Sequence, residues 1–377
     1  MISLFFPSQK VDRQFLVATL LLLSLGVLSF LSASFGLLFN DGPRFASVAW
    51  SHLGLGALGG LLAMWFLSLI NYKIWRKTAI YFFCVALVLN ILVAIPGIGV
   101  EYGGARRWLE LFGQSFQPAE LMKIAFVLYF SAWLATNRDV LKRIKTGALP
   151  AALIVFLPAM AFVMQRDTDT LMVLLGCAAA MYVVAGGRLR DIMAGLLVVA
   201  IGLSFIVYTR PYIKERITTF LDPGRDPKGA GYQIQQSLIA IGSGNLTGRG
   251  FGQSIQKYKY LPEPMGDSIY SVLSEEFGFV GSSLVILLFL FYCLRGYKIG
   301  SLSPDNYGQF VVVGVITVIV VQAYINIAAM LGVIPLSGIP LPFVSQGGTA
   351  IFFALSMTGI VFNVSRKAIF NRTHLEF

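Results

Sequence analysis

The stretch NYGQFVVVGVITVIVVQAYINIAAMLGVIPLSGIPLPFVSQGGTAIFFALSMTGIVFNVS, residues 306–365, runs for 60 residues without an Asp, Glu, Lys or Arg. A helix needs roughly 20 apolar residues to cross the hydrocarbon core of a bilayer. Sixty is too many for one crossing. The interruption LSGIPLPF (336–343) carries two prolines and a glycine, and proline breaks a helix by removing a hydrogen bond and clashing with the preceding turn. The stretch therefore predicts two spans joined by a broken connection.

The same reading extends outward over the chain. Charge-free intervals at Gln14–Asn40, Phe45–Tyr72, Thr78–Val100, Ile124–Asn137, Thr146–Gln165, Thr170–Gly187, Ile192–Thr209 and Phe277–Leu294 bring the total to ten. The interval beginning at Ile124 is short, and it extends back over Lys123 and Glu120 to Pro118, a residue suited to the first position of a helix. Composition agrees: 56% of residues are hydrophobic and only 12% are charged, with a mean hydropathy of +0.75, against about a quarter charged in a soluble domain. The expected fold class is an all-α polytopic membrane protein with about ten transmembrane helices, forming one domain over residues 1–377.

Lys and Arg between the spans set the orientation. With the N-terminus inside, the cytoplasmic segments hold 16 of the 29, and the short outer segments, with the start of the fourth span, hold only Arg44, Arg106, Arg107, Lys123 and Arg166. Both termini are thus expected in the cytoplasm. Residues 210–274 form a large extracytoplasmic loop between helices 7 and 8. Within this loop IQQSLIAIG (234–242) is too short to span and reads as an interfacial or re-entrant helix.

Several function classes drop out. Cys84, Cys177 and Cys293 each lie in an apolar run, which argues against a disulfide framework. The apolar run after Arg13 lacks a small-residue cleavage site and reads as a retained first span. No phosphate-binding loop, CxxC or HExxH signature is present, and His52 and His374 are the only histidines, so a zinc site or His-based triad is not expected. The net charge of +11 suits anionic lipid or an anionic substrate, and no nucleic-acid partner is expected.

On the predicted outer face acids and bases meet. In GGARRWLELFGQSFQPAELMK (103–123), Arg106 and Arg107 flank an interfacial Trp, and guanidinium groups suit either snorkelling or phosphate binding. Lys123, inside a membrane helix, calls for a partner or a task, and Glu120 one turn earlier is a candidate for a salt bridge. In MQRDTDT (164–170), Asp167 and Asp169 open the sixth span as caps or as a site for a cation or a sugar hydroxyl. YLPEPMGDSIYSVLSEE (260–276) concentrates Glu263, Asp267, Glu275 and Glu276. Glu275 and Glu276 immediately precede the eighth apolar run and read as its cap. Asp267 has no adjacent Lys or Arg, and a carboxylate at the edge of the apolar phase has the raised pKa that proton transfer near neutral pH requires.

These segments resemble the SEDS family (shape, elongation, division and sporulation) of polytopic peptidoglycan glycosyltransferases over nearly the whole chain. Further matching pieces are ERITTFLDPGRDPKGAGYQIQQSLIAIGSG (215–244), GRGFGQSIQKYKYLPEP (248–264), DSIYSVLSEEFGFVG (267–281) and NIAAMLGVIPLSGIPLPFVSQGG (326–348). The wording SIQKYKYLPE is closer to the division branch than to the elongation branch. The resemblance implies polymerisation of lipid II into glycan strands with release of undecaprenyl pyrophosphate. It places the essential loop carboxylate on Asp267 and the basic positions of the outer cavity on Arg107, Lys123 and Arg216, with Asp167, Glu120 and Glu276 as further substrate-site carboxylates. It also implies a class B penicillin-binding transpeptidase partner, other membrane proteins of the division machinery, and a location in the bacterial inner membrane.

The chain departs from the family's pattern at three places. Met265-Gly266 stands where His-Thr is usual, QRDTDT (165–170) where Gln-Pro-Asp-Leu-Gly-Thr is usual, and PFVSQGGTA (342–350) where PFxSYGGSS is usual. A divalent cation held by carboxylates such as Asp167 is left open as a cofactor. The rival readings are a lipid II flippase, for which intramembrane Lys123 and the Pro/Gly-broken segment speak, an elongation-branch polymerase, and a non-catalytic division scaffold.

Overall fold

The computed structural model describes residues 11–373 apart from 41, 103–104, 112–113, 210–217, 223, 225, 227–228 and 259. Arg216 lies outside the described residues, as do Lys10 and the terminal HLEF.

Among the described residues eight helices are long and apolar enough to cross a membrane. In chain order the helices are α1 (Arg13–Asn40), α2 (Gly42–Ala49) running through a π-helical Trp50–Gly59 into α3 (Gly60–Leu69), α4 (Lys73–Ala94), α5 (Pro118–Asn137), α6 (Leu149–Met164), α7 (Thr168–Val184) and α8 (Leu189–Thr209). They continue with α9 (Ala230–Ser243), α10 (Ile269–Ser301), α11 (Asn306–Met330) and α12 (Gly348–Thr373). α7 is apolar but shorter than the eight, and α8 occupies 21 residues at the expected seventh span. Each charge-free interval therefore coincides with a helical segment, and the 60-residue stretch divides into α11 and α12 across a connection with no regular structure at 336–341.

α11 is the central helix. Its best apolar window is 83% buried, against 28% for those of α4 and α10. It packs against α5, α7, α10 and α12. A helix apolar all round is one buried on all sides, and the Val- and Ile-rich run FVVVGVITVIVV (310–321) meets that description.

Two expectations need correction. The third span does not reach Val100. α4 stops at Ala94 because Pro96 follows: Ile95 is extended (φ −76°, ψ 129°), as residues before proline are, and Gly97 continues in the left-handed region at φ 91°. Beyond the break the chain forms a three-stranded antiparallel sheet, β1 (Val100–Tyr102), β2 (Ala105–Leu111) and β3 (Gln114–Phe116), in the order β1-β2-β3. The loop helix α9, 14 residues long, packs by one face on the helices beside it. Ile234, Ser237 and Ala240 are buried against α10 and α11, with Leu238 and Ile239 exposed.

The second correction concerns α10, which starts at Ile269 rather than Phe277, so Glu275 and Glu276 lie inside it and are not its cap. The helix breaks just after them at Gly278 (φ 66°, ψ −165°), where a Cβ would come within 2.3 Å of the Gly248 nitrogen. Only glycine fits that conformation. The loop splices the break. The N–H groups of Phe279 and Val280 donate to the carbonyls of Asn245 and Leu246 (2.8 and 3.1 Å), and those of Arg249 and Gly250 donate to the carbonyls of Glu275 and Glu276 (both 3.0 Å). Backbone groups freed by a helix break in an apolar setting need such partners.

Candidate active site

Asp267 is the last loop residue but one before α10. A turn built on Glu263 presents it: Glu263 has φ 46°, and its carbonyl accepts from the N–H groups of Gly266 (3.0 Å) and Ser268 (3.3 Å). The carboxylate is half-buried. Its Oδ1 accepts from Gln233 Nε2 of α9 at 3.2 Å, with Ser268 Oγ at 3.5 Å. Burial first and the charge of Glu263 second push its pKa up to about 7, against the opposing hydrogen bond from Gln233. Among the described residues no lysine or arginine ion-pairs with it. This is the condition expected of a carboxylate that takes up a proton near neutral pH.

Arg107 is carried by β2. Its Nη2 donates to the Arg166 carbonyl at 2.6 Å and its Nη1 lies 3.8 Å from Asp167 Oδ1. Asp167 also caps α7, accepting from Thr170 N (3.3 Å) and Thr170 Oγ1 (2.8 Å). Asp167 thus caps α7 and also lies against the Arg107 guanidinium. Arg107 keeps one face toward the 336–341 connection, where a Cβ on Gly338 would lie 3.9 Å from Nη1. Asp169 reaches the same residue, its Oδ2 accepting from Gly338 N at 3.2 Å.

Lys123 and Glu120 form a buried pair at 2.7 Å, with side chains 4% and 5% exposed. The ammonium also donates to Gln322 Oε1 at 2.7 Å, and Gln322 Nε2 donates to the Pro340 carbonyl at 2.9 Å. Asn326, one turn along α11, donates to the carbonyls of Asp267 (2.8 Å) and Ile339 (2.9 Å). The connection 338–340 is therefore linked to the Asp267 backbone through Asn326 and to the Glu120–Lys123 pair through Gln322, with Asp169 and Arg107 at Gly338.

Glu276 belongs to a different cluster. Its Oε1 accepts from Lys257 Nζ (2.8 Å), Ser32 Oγ (2.5 Å) and Ser254 N (3.4 Å). Lys257, buried, lies 5.5 Å over the Phe35 ring and 5.4 Å over that of Tyr258. Glu275 accepts from Ser254 Oγ (2.6 Å), Ile255 N (3.1 Å) and Gln256 N (3.3 Å), and Arg249 Nε lies 3.4 Å away. Both carboxylates tie the 249–257 loop to α10 and, through Ser32, to α1, and neither contacts Asp267.

Gln233, Gln322 and Asn326 were not singled out from sequence. A signal existed for the last two: a polar pair four residues apart inside an otherwise apolar helix lies on one face and needs partners. Among the described residues no three His, Cys, Asp or Glu side chains converge to hold a metal ion.

Residues 13–369 match the model of the family described as "Cell cycle protein", FTSW_RODA_SPOVE. "Stage V sporulation protein E" of Bacillus subtilis (strain 168) is 38% identical over 94% of this chain and 97% of that protein. "Probable peptidoglycan glycosyltransferase FtsW" of Geobacter sp. (strain M18) is 35% identical over 94% and 97%. A solved chain described under "Structural coordination of polymerization and crosslinking by a peptidoglycan synthase complex" superimposes with a TM-score of 0.76 at 25% identity, covering 94% of this chain and 98% of that one. The rod shape determining protein RodA of Thermus thermophilus shares the fold, with a TM-score of 0.69 at 23% identity over 94% and 97%.

Proposed function

The chain belongs to the FtsW, RodA and SpoVE family, and on that premise we propose that it is a peptidoglycan glycosyltransferase that polymerises lipid II during cell division. It is a multi-pass membrane protein, placed by this reading in the bacterial cytoplasmic membrane with both termini in the cytoplasm and residues 210–274 outside. A class B penicillin-binding transpeptidase is its partner, in keeping with the relative solved within a synthase complex.

The observation that carries the reading is Asp267: a half-buried carboxylate with no basic partner among the described residues, its pKa pushed up to about 7, tied through Asn326 to the connection that Arg107 faces and that Gln322 links to Lys123. In the reaction Asp267 takes the proton of the acceptor sugar hydroxyl as that oxygen bonds to the donor's anomeric carbon. The bond from that carbon to the pyrophosphate oxygen breaks, with inversion, and the electron pair leaves with undecaprenyl pyrophosphate. Arg107, with its forked guanidinium, is the group best placed to receive the departing charge. Lys123 adds its field from behind, held by Glu120, and Arg216 is proposed as a further cation. Glu276 serves the site only by holding the loop.

The test is purified protein with its transpeptidase partner and labelled lipid II in detergent. Wild type is expected to yield glycan strands and Asp267→Ala none, with Asp267→Asn retaining insertion and partner binding. Polymerisation by Asp267→Ala at the wild-type rate removes the proposed base. Lipid II movement in liposomes without polymer from any preparation favours the flippase.

A further inference from the structure

Residues 336–341 have no regular secondary structure, and Pro340 has no N–H, so the polar backbone of this connection must be satisfied from outside. Three consecutive residues are held by side chains: Gly338 N by Asp169 of α7, Ile339 O by Asn326 and Pro340 O by Gln322, both of α11. Each α11 amide also reaches the site. Asn326 Nδ2 donates its second hydrogen to the Asp267 carbonyl, and Gln322 Oε1 accepts from Lys123. The partners fix both amide orientations, since each nitrogen faces carbonyls only. Asn326 is buried, and its Nδ2 is the group that joins the Asp267 carbonyl to that of Ile339.

We infer that Gln322 and Asn326 are positioning residues: by gripping adjacent carbonyls of one connection, they fix the Asp267 turn relative to the Lys123–Glu120 pair. Neighbouring residues of a chain cannot move apart, so the two grips lock together. The proposed base and the buried cation are thereby held at one separation, the kind of geometric control on which proton transfer and charge stabilisation depend. The inference rests on the transferase reading of Asp267.

The titratable group facing Asp267 is Glu263 of its own turn, and the groups facing it from α9 and α11 are the uncharged Gln233 and Asn326. Loss of the Asn326 grip frees the turn toward water and relieves the burial of the carboxylate. Asn326→Ala is therefore expected to lower the initial rate of lipid II polymerisation by about 10- to 100-fold, leave KM for lipid II in place, and move the acid limb of the pH–rate profile to lower pH. Asn326→Ser, which keeps one donor, is expected to fall between, and it serves if the alanine variant does not fold. Gln322→Leu lowers the rate without moving the acid limb. The double variant Asn326→Ala/Gln322→Leu loses less than the product of the two single losses, because both act through one connection. An unmoved acid limb in both Asn326 variants, or losses that multiply, overturns the inference. Inactive Asp267→Ala alongside such a result removes the positioning role alone, whereas active Asp267→Ala removes the assignment of Asp267 as the base, on which the inference rests.

Discussion

Two groups of carboxylates within ten residues of one another received opposite treatment. Glu275 and Glu276 are buried and fully engaged, by Arg249, Lys257, two serines and three further backbone N–H groups. Asp267 has an amide and a weak hydroxyl contact, and a like charge rather than an opposite one for a neighbour. Both settings desolvate an acid, but only the first compensates for it. Their ion pairs and hydrogen bonds let Glu275 and Glu276 tie a loop to two helices, whereas burial without such partners leaves Asp267 able to change protonation near neutral pH.

The largest expected effect contrasts the two directly. Asp267→Ala should reduce polymerisation by roughly 10²- to 10⁴-fold, the usual span for a lost general base, without lowering the melting temperature. Glu276→Ala should do the reverse in kind: it strands Lys257 in the interior and costs about 3–5 kcal/mol of stability, read as a lower melting temperature in detergent. Activity of Glu276→Ala falls with its folded fraction. A Glu276→Ala protein that melts like wild type would break the contrast.

A smaller effect sharpens it. Asp267 has a pKa of about 7 when folded against about 3.9 when unfolded, so the folded state binds its proton more tightly. The resulting destabilisation is absent below pH about 4, grows as pH rises through that interval, and is complete above pH about 7. Asp267→Asn is therefore expected to raise stability by something on the order of 2 kcal/mol at pH 8 and by less at pH 5, measured by thermal melts at both. The same substitution at Glu276 is expected to destabilise.

The spans were readable because membrane insertion forces one-dimensional evidence: a helix in lipid must be long, apolar and nearly free of charge. The hairpin after α4 was less so, since Arg106 and Arg107 dominate its composition, yet Pro96 and the Gly-Gly pair between Tyr102 and Ala105 are the stop and turn signals of a break followed by a hairpin. Lys123 and Glu120 were legible as a pair from their one-turn spacing. Glu275 and Glu276 were misplaced because the apolar run begins only after them, whereas the helix begins at Ile269 and bends at Gly278. That bend is spliced by tertiary partners in the 245–250 loop, which spacing cannot reveal. Gln322 and Asn326 hid in the stretch that decided the fold, overlooked because only formal charges were being sought there.

The most direct test of the account is the pH dependence of the initial rate of lipid II polymerisation by the wild-type complex between pH 5 and 8.5. The account predicts a rate that falls tenfold per unit below a single ionisation near pH 7, as the proposed base becomes protonated. A rate that stays level from pH 8 down to pH 5 would contradict it.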